Sequence, residues 1–220
     1  NRLSLFTPIM LEHPQQLGPT IDRIAWHKAG IIKQYSYAYS VPQPAEVLEV
    51  LVAEAEAQHA EFSWIAPMDM GEYVGHDEDG IRMTLGRYGE LKLGLHGKYQ
   101  IANATLAVQG AGNMHARLPG IPHGSPQYIE AIRAGLAQVV WPGRLQKLQE
   151  SPAVYLDGAI NATSARSLIE SLQDRLTDPV IAIVCVPEDK DYAGVYRELG
   201  LPCDMLILTE TERNITLHFP

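Results

Sequence analysis

The chain has 220 residues, 46% of them hydrophobic and 20% charged, which is the composition of a folded globular protein and excludes disordered and fibrous classes. A formal net charge of -9 argues against a nucleic-acid-binding surface built on general electrostatics. No run approaches eighteen apolar residues and the first residues lack the basic-then-apolar order of a signal peptide, so the expectation is a cytoplasmic protein with no nucleic-acid or membrane partner.

In chain order, Asn1 to Ile9 reads as the tail of an extended segment, and the start is expected to be a cut through a larger protein. Gly18-Pro19-Thr20 opens a helix running to about Ala29, with Gly30 suited to its end. Ile21, Ile24, Ala25 and Lys28 recur at three- and four-residue spacings, so Lys28 shares the buried stripe. Residues 44–59 read as a second helix, with Val47, Leu51, Val52 and Ala55 on one face. Ile81–Leu85 and Leu91–Leu95 alternate with period two across Gly86-Arg87-Tyr88-Gly89, a hairpin pattern.

A helix from about Tyr99 to His115 follows, with Gly110 and Gly112 weakening its second half. Ser125-Pro126 starts another, with Ile129, Ile132, Leu136 and Val139 as its core stripe. Trp141 to Gln149 interrupts the helical pattern. From Ala153 the order becomes strand AVYLD, helix SARSLIESLQ, strand VIAIVCV, a helix near Tyr192 to Leu199, strand DMLIL and a last strand ITLHF. Short apolar strands between amphipathic helices imply an α/β fold with a mostly parallel sheet covered on both faces. The domain boundary is placed at Val140 to Arg144, giving domains 1–140 and 141–220. Cys185 and Cys203 lie near strand ends and read as buried free thiols, with a disulfide as the alternative, and show no zinc pattern.

Five residues stand out as chemistry-bearing. His13 can ligate a divalent metal, and Lys28, if its amine is neutral and accessible, can take up carbon dioxide as a carbamate; a surface histidine and a snorkelling lysine are the plain alternatives. Asn103, one turn into the helix after His96-Gly97-Lys98, can contact a base or serve capping and packing. Arg144 at the domain boundary suits a phosphate, a purine face or an interdomain ion pair equally. Asp157, at the carboxyl end of a strand and before Gly158, occupies the customary ligand edge of an open sheet. Asp189-Lys190-Asp191 has a comparable place, or is a solvated turn.

These segments together resemble the folylpolyglutamate synthase and dihydrofolate synthase family of the Mur-ligase type. LGPTIDRIAWHKAGIIK is similar to the family's lysine-bearing signature, and Glu12-His13 stands where Asp-His is usual. LHGKYQIANATLA is similar to LxGxHQxxNAxxA, WPGRLQ to the linker motif, LDGAINA to LDGAHNP, and EDKDYAGVYRELGLPCDMLILTET to a late segment.

The resemblance implies that residues 1–140 are the C-terminal part of a central ATPase-type domain, followed by a small Rossmann-like domain at 141–220. It implies a ligase that joins glutamate to a folate carboxylate through an acyl phosphate made from ATP and Mg2+. In that frame Lys28 is the carbamylated catalytic lysine, His13 a metal ligand, and Asn103, Arg144 and Asp157 are nucleotide contacts. No GxxxxGK[ST] phosphate cradle occurs in the sequence, and the family carries its own in an N-terminal half. The chain by itself is therefore expected to be inactive, to bind ATP weakly and to carry an unmodified Lys28, the missing half being its natural partner. Ile160 and Ala162 replace the histidine and proline of DGAHNP, and His27 replaces a glutamate before the lysine. This set of changes supports an alternative, a degenerate ligase homologue with a binding or assembly role.

Overall fold

The computed structural model describes residues 2–12, 14–116, 120–177 and 179–210. His13 and the last expected strand, ITLHF, lie outside the described residues. The chain divides into two compact units. Unit 1 comprises 1–75, 82–93 and 100–138, and unit 2 comprises 76–81, 94–99 and 139–220.

Unit 1 is organised on a parallel three-stranded sheet ordered β1 (Leu3–Phe6), β2 (Tyr37–Ser40), β3 (Glu61–Trp64). Leu3 sits opposite Tyr37, and Tyr37 opposite Glu61. A short α1 (Pro14–Leu17) and α2 (Ile21–Ala29) make the first crossover, α3 (Ala45–Ala57) the second. The spacing of Ile24, Ala25, Val47, Leu51 and Ala55 places each of them in one buried cluster with Phe6, Ile9, Ile32 and Ala38. β2 escapes the sequence reading because its buried positions are Ala38 and Ser40, too small and polar to show a hydrophobic period, and β3 because its four residues, EFSW, are largely exposed.

β4 (Glu72–Asp77), β5 (Gly80–Thr84) and β6 (Glu90–Leu93) form a second three-stranded sheet in that order, with Ile81, Met83, Leu91 and Leu93 fully buried. α4 (Gln100–His115) runs unbroken through Gly110 and Gly112. Gly110 lets α4 lie close to β1, for a Cβ there would stand 2.9 Å from a methyl of Leu5. α5 (Pro126–Ala137) starts as its sequence predicts, Ser125 Oγ accepting the Tyr128 amide at 3.2 Å. Its core contribution differs: Tyr128 is the buried residue, while Ile129, Ile132 and Leu136 are half-buried and Val139 lies past the helix end.

In unit 2, β7 (Gln146–Gln149) and β8 (Val154–Leu156) pair antiparallel. α6 (Ala162–Leu172), β9 (Ile181–Val184), α7 (Tyr192–Gly200) and β10 (Met205–Leu208) follow, with β9 and β10 parallel in register Ile181 to Met205. Ala165, Val184, Val186 and Val195 make the core between helices and strands. Among the described residues this sheet is covered on one face only, because the alternate side chains Ile181 and Ile183 are 55% and 71% exposed. The cysteines are free thiols, as expected, but not buried ones: Cys185 is exposed at the outward-facing position after Val184, and Cys203 is half-buried. No described helix is long and apolar enough to cross a membrane.

Candidate functional site

β8 delivers Asp157 to its carboxyl end, where two donors distant in sequence hold its carboxylate. Asp157 is half-buried and accepts two hydrogen bonds on Oδ2, from the Leu145 amide at 2.7 Å and from the Tyr99 hydroxyl at 3.1 Å. Oδ1 accepts none from the described residues, which leaves one acceptor of a held carboxylate available.

Gly158 comes next, and the Arg144 guanidinium lies across it: a Cβ at position 158 would stand 2.3 Å from Nη1. A side chain at 158 would push the guanidinium out of that position. Arg144 is exposed, and among the described residues its hydrogen bond is a long one, 3.5 Å, from Nη1 to the Gly143 carbonyl. Its flat face and remaining donors are therefore open to a ligand.

The loop from Ile160 into α6 satisfies its own backbone. Asn161 Oδ1 accepts the Ser164 amide at 2.8 Å, while Ser164 Oγ accepts the Ile160 and Asn161 amides, each at 3.1 Å. This is a capping box. Asp191 caps α7 through Gly194 at 3.0 Å and reaches the Ala162 amide at 3.0 Å with its other oxygen. Of the two readings of Asp189-Lys190-Asp191, Asp191 thus proves a double helix cap, and Asp189 pairs with Lys190 at 2.7 Å. Of the amides that the N-terminus of α6 could offer to phosphate, those of Ile160, Asn161, Ala162 and Ser164 are already engaged by side chains. What the edge presents is a hydroxyl acceptor, Asp157 Oδ1, beside a planar cation, Arg144, an arrangement suited to a sugar hydroxyl and an aromatic or anionic group.

The segment before Asp157's second donor is held within unit 2 as well. The Lys98 amide donates to Ser171 Oγ at 2.9 Å, the Lys98 amine pairs with Asp174 at 3.4 Å, and Arg175 Nη1 meets His96 Nδ1 at 2.8 Å. Burial first, and the Arg175 charge second, hold the His96 imidazole below its ordinary pKa, so it stays neutral and accepts from Arg175.

In unit 1, Asn103 is half-buried on α4 and its Nδ2 donates to Gln100 Oε1 at 2.7 Å, so the side chain has a defined local orientation. Lys28 is half-buried on α2 beside the fully buried Ile24, Ala25 and Ala29, and no described residue bonds its amine. Among the described residues no group of three histidine, cysteine or acidic side chains is placed to hold a metal. An open cleft of about 520 Å³ in unit 1, walled by Tyr39, Trp64, Arg87, Asn113 and His123, contains neither Lys28 nor Asn103. Tyr99 is the contributor that residue patterns alone had not singled out for a role; it acts on a partner 58 positions away.

Comparison with known proteins places this architecture. The solved folylpolyglutamate synthase of Mycobacterium tuberculosis, complexed with ADP and AMPPCP, superposes with a TM-score of 0.79 at 29% identity, over 96% of this chain and 49% of that one. The fold is thus the α/β fold of a nucleotide-complexed ligase's C-terminal part. Folylpolyglutamate synthase of Lacticaseibacillus casei is 34% identical over 200 residues, 88% of this chain and 45% of the relative. Dihydrofolate synthase/folylpolyglutamate synthase of Bacillus subtilis is 34% identical over 203 residues, 90% of this chain and 46% of the relative. No protein-family model matches. The chain belongs to the folylpolyglutamate synthase/dihydrofolate synthase family and corresponds to its C-terminal part. It spans about half the length of the curated relatives it matches.

Proposed function

We propose that the chain is the C-terminal portion of an ATP-dependent ligase that adds glutamate to a folate carboxylate through an acyl phosphate, and that the edge at Asp157 receives the nucleoside part of ATP. The observation that carries this is the free Oδ1 of Asp157 beside the open Arg144 guanidinium across Gly158, in a chain whose relative has been solved with ADP and AMPPCP. Asp157 accepts from a ribose hydroxyl, and Arg144 lies against the base or a phosphate oxygen. By family resemblance, Asn103 is a nucleotide contact of the whole enzyme.

ATP bound there supplies the phosphoryl group for activating a carboxylate. The described residues of unit 2 bind and orient; the Ile160 and Asn161 amides before α6 are engaged by Ser164 and Ile160 is apolar. Lys28 is the catalytic lysine of the whole enzyme and His13 its Mg2+ ligand, by family resemblance. Folate, glutamate and the remaining half of the enzyme are the partners, and the cytoplasm is its place. The 220 residues by themselves lack a phosphate cradle and turn over no substrate.

Titration of the chain with ATP and Mg2+, followed by amide NMR, tests this reading. Shifts centred on Arg144, Asp157 and Gly158, at weak affinity and abolished by Asp157→Ala, are the expected result; no shift at these residues, or a sub-micromolar affinity, contradicts it. Mass analysis of Lys28 is expected to show an unmodified amine. A degenerate homologue remains the second reading because Ile160 replaces a family histidine. Glutamate- and folate-dependent phosphate release by the whole protein decides between the two, its absence favouring the degenerate homologue.

A further inference from the structure

We infer that Tyr99 is a positioning residue that sets the nucleoside specificity of this edge, by holding Asp157 so that its Oδ1 alone faces the ligand. This rests on the proposed nucleotide site. A carboxylate on a strand end rotates about its terminal torsion, which is broad and two-fold, and offers either oxygen unless both donors settle on one. Here the Leu145 amide at 2.7 Å and the Tyr99 hydroxyl at 3.1 Å meet on Oδ2 from residues 12 and 58 positions away.

Three features make the Tyr99 contact built rather than incidental. Gly97 is buried and lies under the Tyr99 ring: a Cβ there would stand 2.5 Å from the ring edge, so the ring reaches Asp157 only because residue 97 has no side chain. The intervening Lys98 is tied at its amide to the buried Ser171 hydroxyl at 2.9 Å. His96, on the other side of Gly97, is tied to Arg175 at 2.8 Å. The segment His96–Tyr99 is thereby tied at His96 and at Lys98 to Arg175 and Ser171, and its last residue delivers the hydroxyl.

The physical consequence is a fixed acceptor. With Oδ2 saturated, a ribose hydroxyl donates to Oδ1 in one orientation; with the Tyr99 hydroxyl removed, Oδ2 has a free lone pair and the carboxylate turns to meet ligand or water with either oxygen. Tyr99 therefore acts on discrimination between sugars and not on affinity for the base.

The test compares ATP with its 2′-deoxy and 3′-deoxy analogues on the chain and on Tyr99→Phe, by NMR titration with Mg2+. The wild-type chain is expected to bind one of the two analogues about tenfold more weakly than ATP, the size of one lost hydrogen bond to a charged group. In Tyr99→Phe, which keeps the ring over Gly97, that gap is expected to shrink to about twofold or less, with binding of adenine unchanged. Tyr99→His, which restores a donor on a ring, is expected to recover part of the gap. An undiminished gap in Tyr99→Phe overturns the positioning role while leaving the nucleotide site standing. If the wild-type chain shows no gap, or binds no nucleotide, the ribose reading of Asp157 falls and the role of Tyr99 falls with it.

Discussion

The two units solve the stabilisation problem differently. Unit 1 encloses a cluster of ten buried residues between a parallel sheet and two helices, with Ile24, Val47 and Leu51 wholly withdrawn from water. Among the described residues, unit 2 buries four in its cluster, leaves one side of β9 and β10 exposed, and fixes its loops with a capping box, a shared aspartate cap and side-chain hydrogen bonds. The contrast teaches that order in unit 2 comes from directional polar contacts around β8 and α6, where the candidate ligand edge lies, while unit 1 relies on packing.

The largest effects that sharpen this contrast lie in unit 1. Leu51→Ala should destabilise the protein by about 2–5 kcal/mol, read from the shift in urea midpoint, since it empties a fully closed site. Val195→Ala in unit 2 removes less buried surface and should cost about 1–3 kcal/mol; an equal or larger loss there would break the contrast.

Gly97→Ala places a methyl against the Tyr99 ring and should cost about 1–3 kcal/mol through overpacking, measured by the same denaturation. Asn161→Ala, which removes the cap of α6, should cost about 1 kcal/mol, and Asn161→Asp should restore most of it. If neither substitution affects stability, polar fixation is not what orders unit 2.

The smallest effect concerns pH. His96 has a folded-state pKa below its ordinary 6.5, chiefly through burial and then through Arg175. As pH falls below 6.5, the unfolded chain gains a proton that the folded chain refuses, so stability present at neutral pH declines in acid. His96→Asn, which keeps an acceptor for Arg175 without the titration, should narrow the difference in melting temperature between pH 7.5 and pH 5.5. An unchanged difference would show that His96 does not contribute to it.

Much of this was legible in the sequence where a local signal exists. The helices over 21–29, 45–57, 126–137 and 162–172 show periodicity or caps, and Asp157 and Arg144 announce themselves by their places beside glycines. The central strand YAYS was not legible, because its buried positions hold Ala38 and Ser40; QKLQ was not, because it is polar and exists through pairing with VYL. The Tyr99 brace could not be seen either, since a tyrosine has no local mark that says which carboxylate, 58 residues on, it will meet. Propensity and period report on neighbours in sequence, and these features arise from neighbours in space.

The most direct measurement of the central claim is a crystal structure of the chain grown with Mg2+ and AMPPCP. The account predicts a ribose hydroxyl within hydrogen-bond distance of Asp157 Oδ1, with the Tyr99 hydroxyl and Leu145 amide still on Oδ2 and Arg144 against the base or a phosphate. A nucleotide seated elsewhere, or one whose ribose ignores Asp157, would contradict it.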